Sequence, residues 1–357
     1  MTDLQQTPAI DEERLMAFVF RAVDEVGATL NAALVVLGDK LGYYRCLATG
    51  PVTPARLAEE TGTGEHYARE WLNAQAAGSF VDFDPATGTY SLPAEHAVAL
   101  TDENSPAFLP GLFQIALGTV ADSNHIVEAA RNGAGVGWHE HGTDVHDGCE
   151  RFFRPGYNAH LIDEWLPAVG ATAKLVAGAT VADVGCGHGA STVLMAQAFP
   201  ASTFIGFDYH PASIEVARER AAEAGVSDRV TFEVADSGAF PGTAYDLVTM
   251  FDALHDMGDP VGAARHVHEV LTDDGTWMIV EPMAGDSVED NLNPVGRVYY
   301  GFSTLLCTPA SLSQQVGLAI GTQAGPARIR DITTTAGFTG FRSAAETPFN
   351  RVLAVRK

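Results

Sequence analysis

The sequence predicts an α/β fold preceded by a mostly α-helical domain of winged-helix type. Three observations carry this. From about residue 178, short apolar runs alternate with helical patterns, the mark of a parallel sheet with helices on both faces. Residues 181–192 read VADVGCGHGAST, a strand, a tight glycine turn and a helix start. Residues 53–92 set two short helices before a hairpin, with start and stop signals at the joints.

Taken in order, residues 12–47 come first. Leu15, Met16, Phe18, Val19, Ala22 and Val23, then Leu30, Leu34, Leu37 and Leu41, recur at helical spacing. Such a stripe serves a core or a contact with a second copy. Thr53-Pro54 opens a helix over 55–60 that stops at Thr61-Gly62. A second helix spans 65–77 with Tyr67, Trp71, Leu72 and Ala76, and a DPATG turn between 80–83 and 90–92 makes the wing. These elements form a first domain, 1–104, expected to dimerise. Winged helices often bind DNA, but this second helix carries Glu65, Arg69 and Glu70 and no basic stripe.

Residues 105–175 read as a helical connector that contributes to the cover of the site, with a flexible break at 133–137. The loop after it gathers His139, His141, Asp144 and His146. By type these are metal ligands, yet their spacing matches no zinc pattern, and contact with a ligand is the preferred reading. No metal is expected. A helical pattern resumes from Tyr157 to Trp165. In the second domain, 176–357, strands are expected at 203–207, 230–234, 245–251 and 276–280, ending at or near Asp208, Asp236, Asp252 and Glu281. Helices over 211–224, 260–271 and 327–336 alternate with them. Residues 284–325 interrupt the alternation, and strands at 338–342 and 352–355 close it.

Composition narrows the partners. The 357 residues carry a net charge of −24, with 46% hydrophobic and 18% charged residues. Such a chain is globular and makes a poor partner for nucleic acid or an anionic membrane. The four cysteines form no CxxC pair, which fits a reducing compartment. The start, MTDLQQTPAIDEERL, lacks a basic, apolar leader, and no apolar run reaches the roughly 18 residues of a membrane helix. A cytoplasmic location is expected.

The strand ends define the candidate site. In open α/β sheets, ligands bind outside the carboxyl ends of the strands where strand order reverses. Gly185 and Gly187 admit positive φ and a close ligand, and the helix start that follows favours an anionic group. Asp208, about 20 residues on, is placed for ribose hydroxyls or as a helix cap before Pro211. Asp236, with Ser237, is placed for an adenine amino group or is an ordinary turn acid. Tyr209 and Phe251 join this set. Gly185, Gly187 and Ala190 also fit the dinucleotide fingerprint. Asp183 argues against a dinucleotide, since a carboxylate there repels a pyrophosphate. It suits the ammonium of a methionine moiety, directly or through water, and so favours S-adenosylmethionine.

The segment Asp183-Val-Gly-Cys-Gly-His-Gly189, with Asp208, Asp236 and the late strand at 351–355, resembles the class I S-adenosylmethionine-dependent methyltransferases. The resemblance covers roughly 176–357. It implies a Rossmann-like seven-stranded sheet ending in a reversed hairpin. With the winged-helix segment, the chain is similar to small-molecule O-methyltransferases that dimerise through their N-terminal domain. Leu254-His255-Asp256-Met257 resembles their His-Asp-Trp motif, with methionine for tryptophan, and implies His255 as general base. A phenol, with a pKa near ~10, needs such a base, and an imidazole near ~6.5 serves. The alternative reading of His255 is a residue that only lines the cavity. Asp252 or Asp256 is expected to orient its ring. The 284–325 insertion is expected to build the pocket for a small, partly apolar acceptor. The competing functions are an NAD-dependent oxidoreductase and a ligand-sensing winged-helix DNA-binding regulator.

Overall fold

The computed structural model describes residues 10–357, so the leader reading of residues 1–9 lies outside the described residues. Two compact units emerge. One holds residues up to Asp102 with Phe108–Gln114, and the other holds Glu103–Ala107 with Ile115–Lys357.

In the first unit a single helix spans Glu12–Lys40, capped by the Asp11 carboxylate. Helix Pro54–Thr61 starts under the Thr53 hydroxyl and ends at Gly62 with φ 67°. Helix Glu65–Ala77 buries Ala68, Trp71 and Leu72. The wing pairs β1 (Asp82–Asp84) with β2 (Thr89–Ser91), Phe83 opposite Tyr90. It is shorter than expected because Phe80 and Val81 pack into the small core rather than pair.

The second unit is built on a seven-stranded sheet. Its strands are β3 (Thr180–Val184), β4 (Thr203–Asp208), β5 (Val230–Val234), β6 (Tyr245–Phe251), β7 (Leu271–Pro282), β8 (Gly340–Glu346) and β9 (Asn350–Arg356). The order is β5-β4-β3-β6-β7-β9-β8. β3 to β7 run parallel, while β9 runs antiparallel to both β7 and β8. The reversed hairpin is therefore present. Successive residues face opposite sides: Val181, Leu247 and Met278 enter one core cluster, and Ala182, Val248 and Ile279 the other. Each large apolar side chain so buried contributes on the order of 1.5–3 kcal/mol. Strand order turns around β3, with β4 on one side and β6 on the other, so the carboxyl tips of β3–β6 open along one edge.

One boundary differs in a way that matters. The helix expected to resume at Tyr157 spans Thr143–His160, so His146 stands in its first turns and not on a loop. Gly148, Pro155 and Gly156 weaken the local helical signal. Packing overrides it, with Val145 and Tyr157 buried.

Candidate active site

A cavity of about 270 Å³ opens over the tips of β3, β4, β5 and β6. The glycine turn forms its floor, and its three glycines have different reasons to be glycine. Gly187, at φ 52°, would carry a Cβ into open space, so the bare backbone leaves room for a ligand. A Cβ on Gly185 would meet the Ala253 side chain at 2.7 Å. One on Gly189 would meet the Phe232 ring at 2.7 Å and Ala217 at 2.9 Å.

Asp208 lines the cavity and is fixed by two backbone donors. Gly187 N–H donates to Oδ2 and His210 N–H to Oδ1, both at 2.9 Å. The Gly187 amide is thereby engaged by Asp208 rather than left open for an anion. Burial raises the Asp208 carboxyl above its ordinary value, and the two amides work against that rise. Asp236, Ser237, Tyr209 and Phe251 all line the same cavity, as do Gly185 and Gly187. Asp236 also accepts from Gly238 N–H at 2.8 Å.

Asp183 stands elsewhere. It is 1% exposed and is not among the lining residues. Its Oδ2 accepts from Ser191 Oγ at 2.8 Å and Thr192 Oγ1 at 2.6 Å, and its Oδ1 from Thr249 Oγ1 at 2.9 Å. The carboxylate ties β3 to β6 and to the helix Ala190–Ala198. That geometry does not support direct contact with a ligand ammonium. The clue was the pair of hydroxyls eight and nine residues later.

His255 likewise sits behind the wall, 3% exposed, with Asp256 in front of it lining the cavity. Its Nδ1 lies 2.6 Å from Glu281 Oε2, and its Nε2 lies 3.1 Å from Asp256 Oδ1. Glu281 Oε1 accepts from Leu254 N–H at 3.0 Å, locking the 3-10 turn that carries the histidine. Burial lowers the proton affinity of the ring, but the two carboxylates outweigh burial and hold its pKa well above the ordinary value. Asp256 is thus one ring partner, as expected. Glu281 is the second, and was read only as a strand end. Asp252 is not a ring partner; its Oδ1 accepts from Asn350 Nδ2 at 2.8 Å.

The far wall comes from the helix Thr143–His160. His146, Cys149, Glu150, Phe153 and Tyr157 line the cavity from one helical face. That i, i+3, i+4, i+7 spacing was present in the sequence. His146 stacks on His210 at 4.9 Å and meets Trp138 edge-on. Burial, then the neighbouring His210, brings its pKa down to about 4. His141 turns away to Asp122, 2.8 Å from its Nδ1, and His139 contacts Tyr209 edge-on. Among the described residues, the three potential metal donors that come together are instead His255, Asp256 and Cys307. The insertion contributes Ala310 and Gln314 to the cavity, while Tyr299 is buried with its hydroxyl donating to Phe349 O at 2.8 Å.

This architecture is found in known proteins. Residues 175–315 match the family described as a methyltransferase domain. The chain carries a methyltransferase domain. Ahead of it, residues 29–102 match the Rv2258c-like winged HTH domain. Over 131 residues the chain is 35% identical to 27-O-demethylrifamycin SV methyltransferase of Amycolatopsis mediterranei, a match covering 34% of this chain and 48% of that protein. Methyltransferase GfsG of Streptomyces halstedii is 30% identical over 131 residues, 36% of this chain and 46% of that one. The chain thus spans about half the length of these curated relatives. Among solved structures, mitomycin 7-O-methyltransferase matches with a TM-score of 0.67 at 19% identity, over 97% of this chain and 100% of that chain. Human N-acetylserotonin methyltransferase, in complex with SAM, matches with a TM-score of 0.65 at 16% identity, over 99% of each. These likenesses are of fold. All the cavity-lining residues of the β3–β6 tips fall inside the methyltransferase domain.

Proposed function

We propose that this chain is an S-adenosylmethionine-dependent methyltransferase acting on an oxygen of a small, partly apolar molecule. One observation carries the reading: bare Gly187 and the fixed Asp208 carboxylate, with Asp236, line one cavity at the strand-order reversal. The residues fit the donor. Asp208 and Tyr209 would take the ribose, Asp236 and Ser237 the adenine edge, and Phe251 would pack beside it. Gly185 and Gly187 would admit the amino-acid tail, with Asp183 holding the turn from behind. When bound, the donor supplies a methyl group already activated on a positive sulfur.

The chain's own part is alignment and exclusion of water. Phe153, Tyr157, Phe251 and Met257 give the cavity an apolar wall suited to such an acceptor. His255 is the proposed base. Glu281 on Nδ1 fixes the ring so that Nε2 points toward the wall and stabilises the charged ring. Because the resting ring is charged, its Nε2 proton must first pass to Asp256 Oδ1 or to solvent; an entering hydroxyl then displaces Asp256 and delivers its own proton to the freed Nε2.

The segments 1–104, 105–175 and 176–357 would divide dimerisation, cover and chemistry. We further propose a homodimer in the cytoplasm with no nucleic-acid or membrane partner. No helix among the described residues is long and apolar enough to cross a membrane. In the winged helix Arg69 pairs with Glu65, which leaves that face acidic. No observation favours the oxidoreductase or DNA-binding readings.

The test is incubation with methyl-labelled donor and a metabolite extract, with identification of what gains the label. Asp208→Ala is expected to weaken donor binding at least about tenfold. His255→Ala is expected to retain donor binding and lose about 10²- to 10⁴-fold in turnover. No calorimetric heat with the donor or its demethylated product would overturn the reading.

A further inference from the structure

Asp252 is a residue of the cavity that the proposed reaction leaves without a task. It follows β6 directly and lines the cavity. Its backbone is left-handed, φ 49°, although it has a side chain. Non-glycine residues adopt that conformation at a cost, and such strain gathers at functional sites. Two anchors hold it there. Its N–H donates to Val280 O at 2.8 Å, and its Oδ1 accepts from Asn350 Nδ2 at 2.8 Å. The other oxygen, Oδ2, is buried and has no hydrogen-bond partner among the described residues.

Its position along the cavity points to an occupant. Asp208 and Asp236, at the tips of β4 and β5, lie on one side of β3, and Asp252 lies at the tip of β6 on the other. A nucleoside held over β4 and β5 therefore sends its 5′ substituent across the glycine turn toward β6. The Cβ that Gly185 lacks would touch Ala253, the next residue after Asp252, so turn and β6 tip are in contact. Among the described residues no Lys or Arg lines the cavity, whose acidic lining is Glu150, Asp208, Asp236, Asp252 and Asp256. Glu150 is paired with Arg220 at 3.0 Å and Asp256 with His255.

We propose that Asp252 Oδ2 is the counter-charge to the donor's sulfonium, and that it makes the site prefer the methylated donor over its neutral, demethylated product. The inference rests on the cofactor reading above. A buried carboxyl without a partner keeps a proton, and a cation beside it replaces that proton. Here burial, then Glu281 and Asp256, raises the carboxyl well above its ordinary value, against His255 and Asn350. The other ionisable groups facing it are Cys149 and Tyr157 from the helix Thr143–His160, and Tyr299 from the insertion. All three are neutral at neutral pH. Donor binding then releases the Asp252 proton to solvent, while binding of the product, S-adenosylhomocysteine, leaves it in place.

Calorimetric titration of the whole chain in buffers of different ionisation enthalpy measures this directly. At neutral pH, S-adenosylmethionine is expected to release about one proton more than S-adenosylhomocysteine and to bind about tenfold tighter. In Asp252→Asn, which tolerates the left-handed backbone, the proton difference should vanish and the affinity ratio fall to about one. Equal proton release for the two ligands in the wild-type chain overturns the assignment, and needs no variant to show it. An unchanged affinity ratio in Asp252→Asn overturns it too. In both cases the cofactor reading survives. Absence of binding by either ligand overturns the cofactor reading and the inference with it.

Discussion

At the scale of single residues, two histidines beside one cavity are driven in opposite directions by what surrounds them. His255 is held in its charged form between Glu281 and Asp256, and His146 in its neutral form by burial and by His210. For His146 the folded value, about 4, lies below the unfolded value of 6.5. The unfolded chain then binds more protons between those values, so stability rises with pH across that window. His146 thus contributes stability that is present above pH 6.5 and lost as pH falls toward 4. In His146→Gln, the slope of unfolding free energy against pH from 4 to 6.5 should flatten, as urea titrations at several pH values would record. A slope unchanged from the wild type would contradict this account. Residue roles were the least legible part of the sequence. Asp183 and His255 were marked by motif, but the sequence could not tell a carboxylate facing the cavity from one bonded behind it. Glu281 met His255 only through the folding of β6 beside β7.

At the scale of elements, the glycine turn shows how much backbone alone decides. Gly189 combines φ 76° with side chains of Phe232 and Ala217 inside contact distance of any added Cβ. Gly189→Ala should cost about 2–4 kcal/mol, the sum of a strained backbone and an overpacked contact. Chemical denaturation checks it, and a loss below 1 kcal/mol would show that Phe232 yields easily. The strands were legible because each is a short apolar run stopped by an acid or a turn, as at Asp208, and period-two alternation survives in Val181 and Ala182. The helix Thr143–His160 was not, because glycines and a proline dilute its pattern. Its fixed point is tertiary: Phe153 and Tyr157 pack against the core below the sheet's edge.

At the scale of the whole molecule, the helix Glu12–Lys40 leaves an apolar face uncovered. Leu15, Met16, Phe18, Val19, Phe20, Val23, Val26 and Leu30 are all exposed, with Phe18 and Phe20 each at 68%. A face that large on a chain of net charge −24 is where the proposed homodimer would seat a second copy. The double substitution Phe18→Glu with Phe20→Glu should shift the mass measured by light scattering from two chains to one. A wild-type chain that elutes as a monomer at micromolar concentration would remove the basis for that interface. The winged-helix segment and the alternating α/β segment were readable from the sequence, since they differ in period, turn chemistry and length.

The bond from Asn350 to Asp252 joins residues 98 positions apart, across a strand that runs against its neighbours. During synthesis the β6 tip therefore emerges long before its tether. A nascent chain stopped short of β9 has the glycine turn and every acidic tip in hand. It lacks the amide that pins Asp252, so the chamber is finished by a segment that contributes no wall to it.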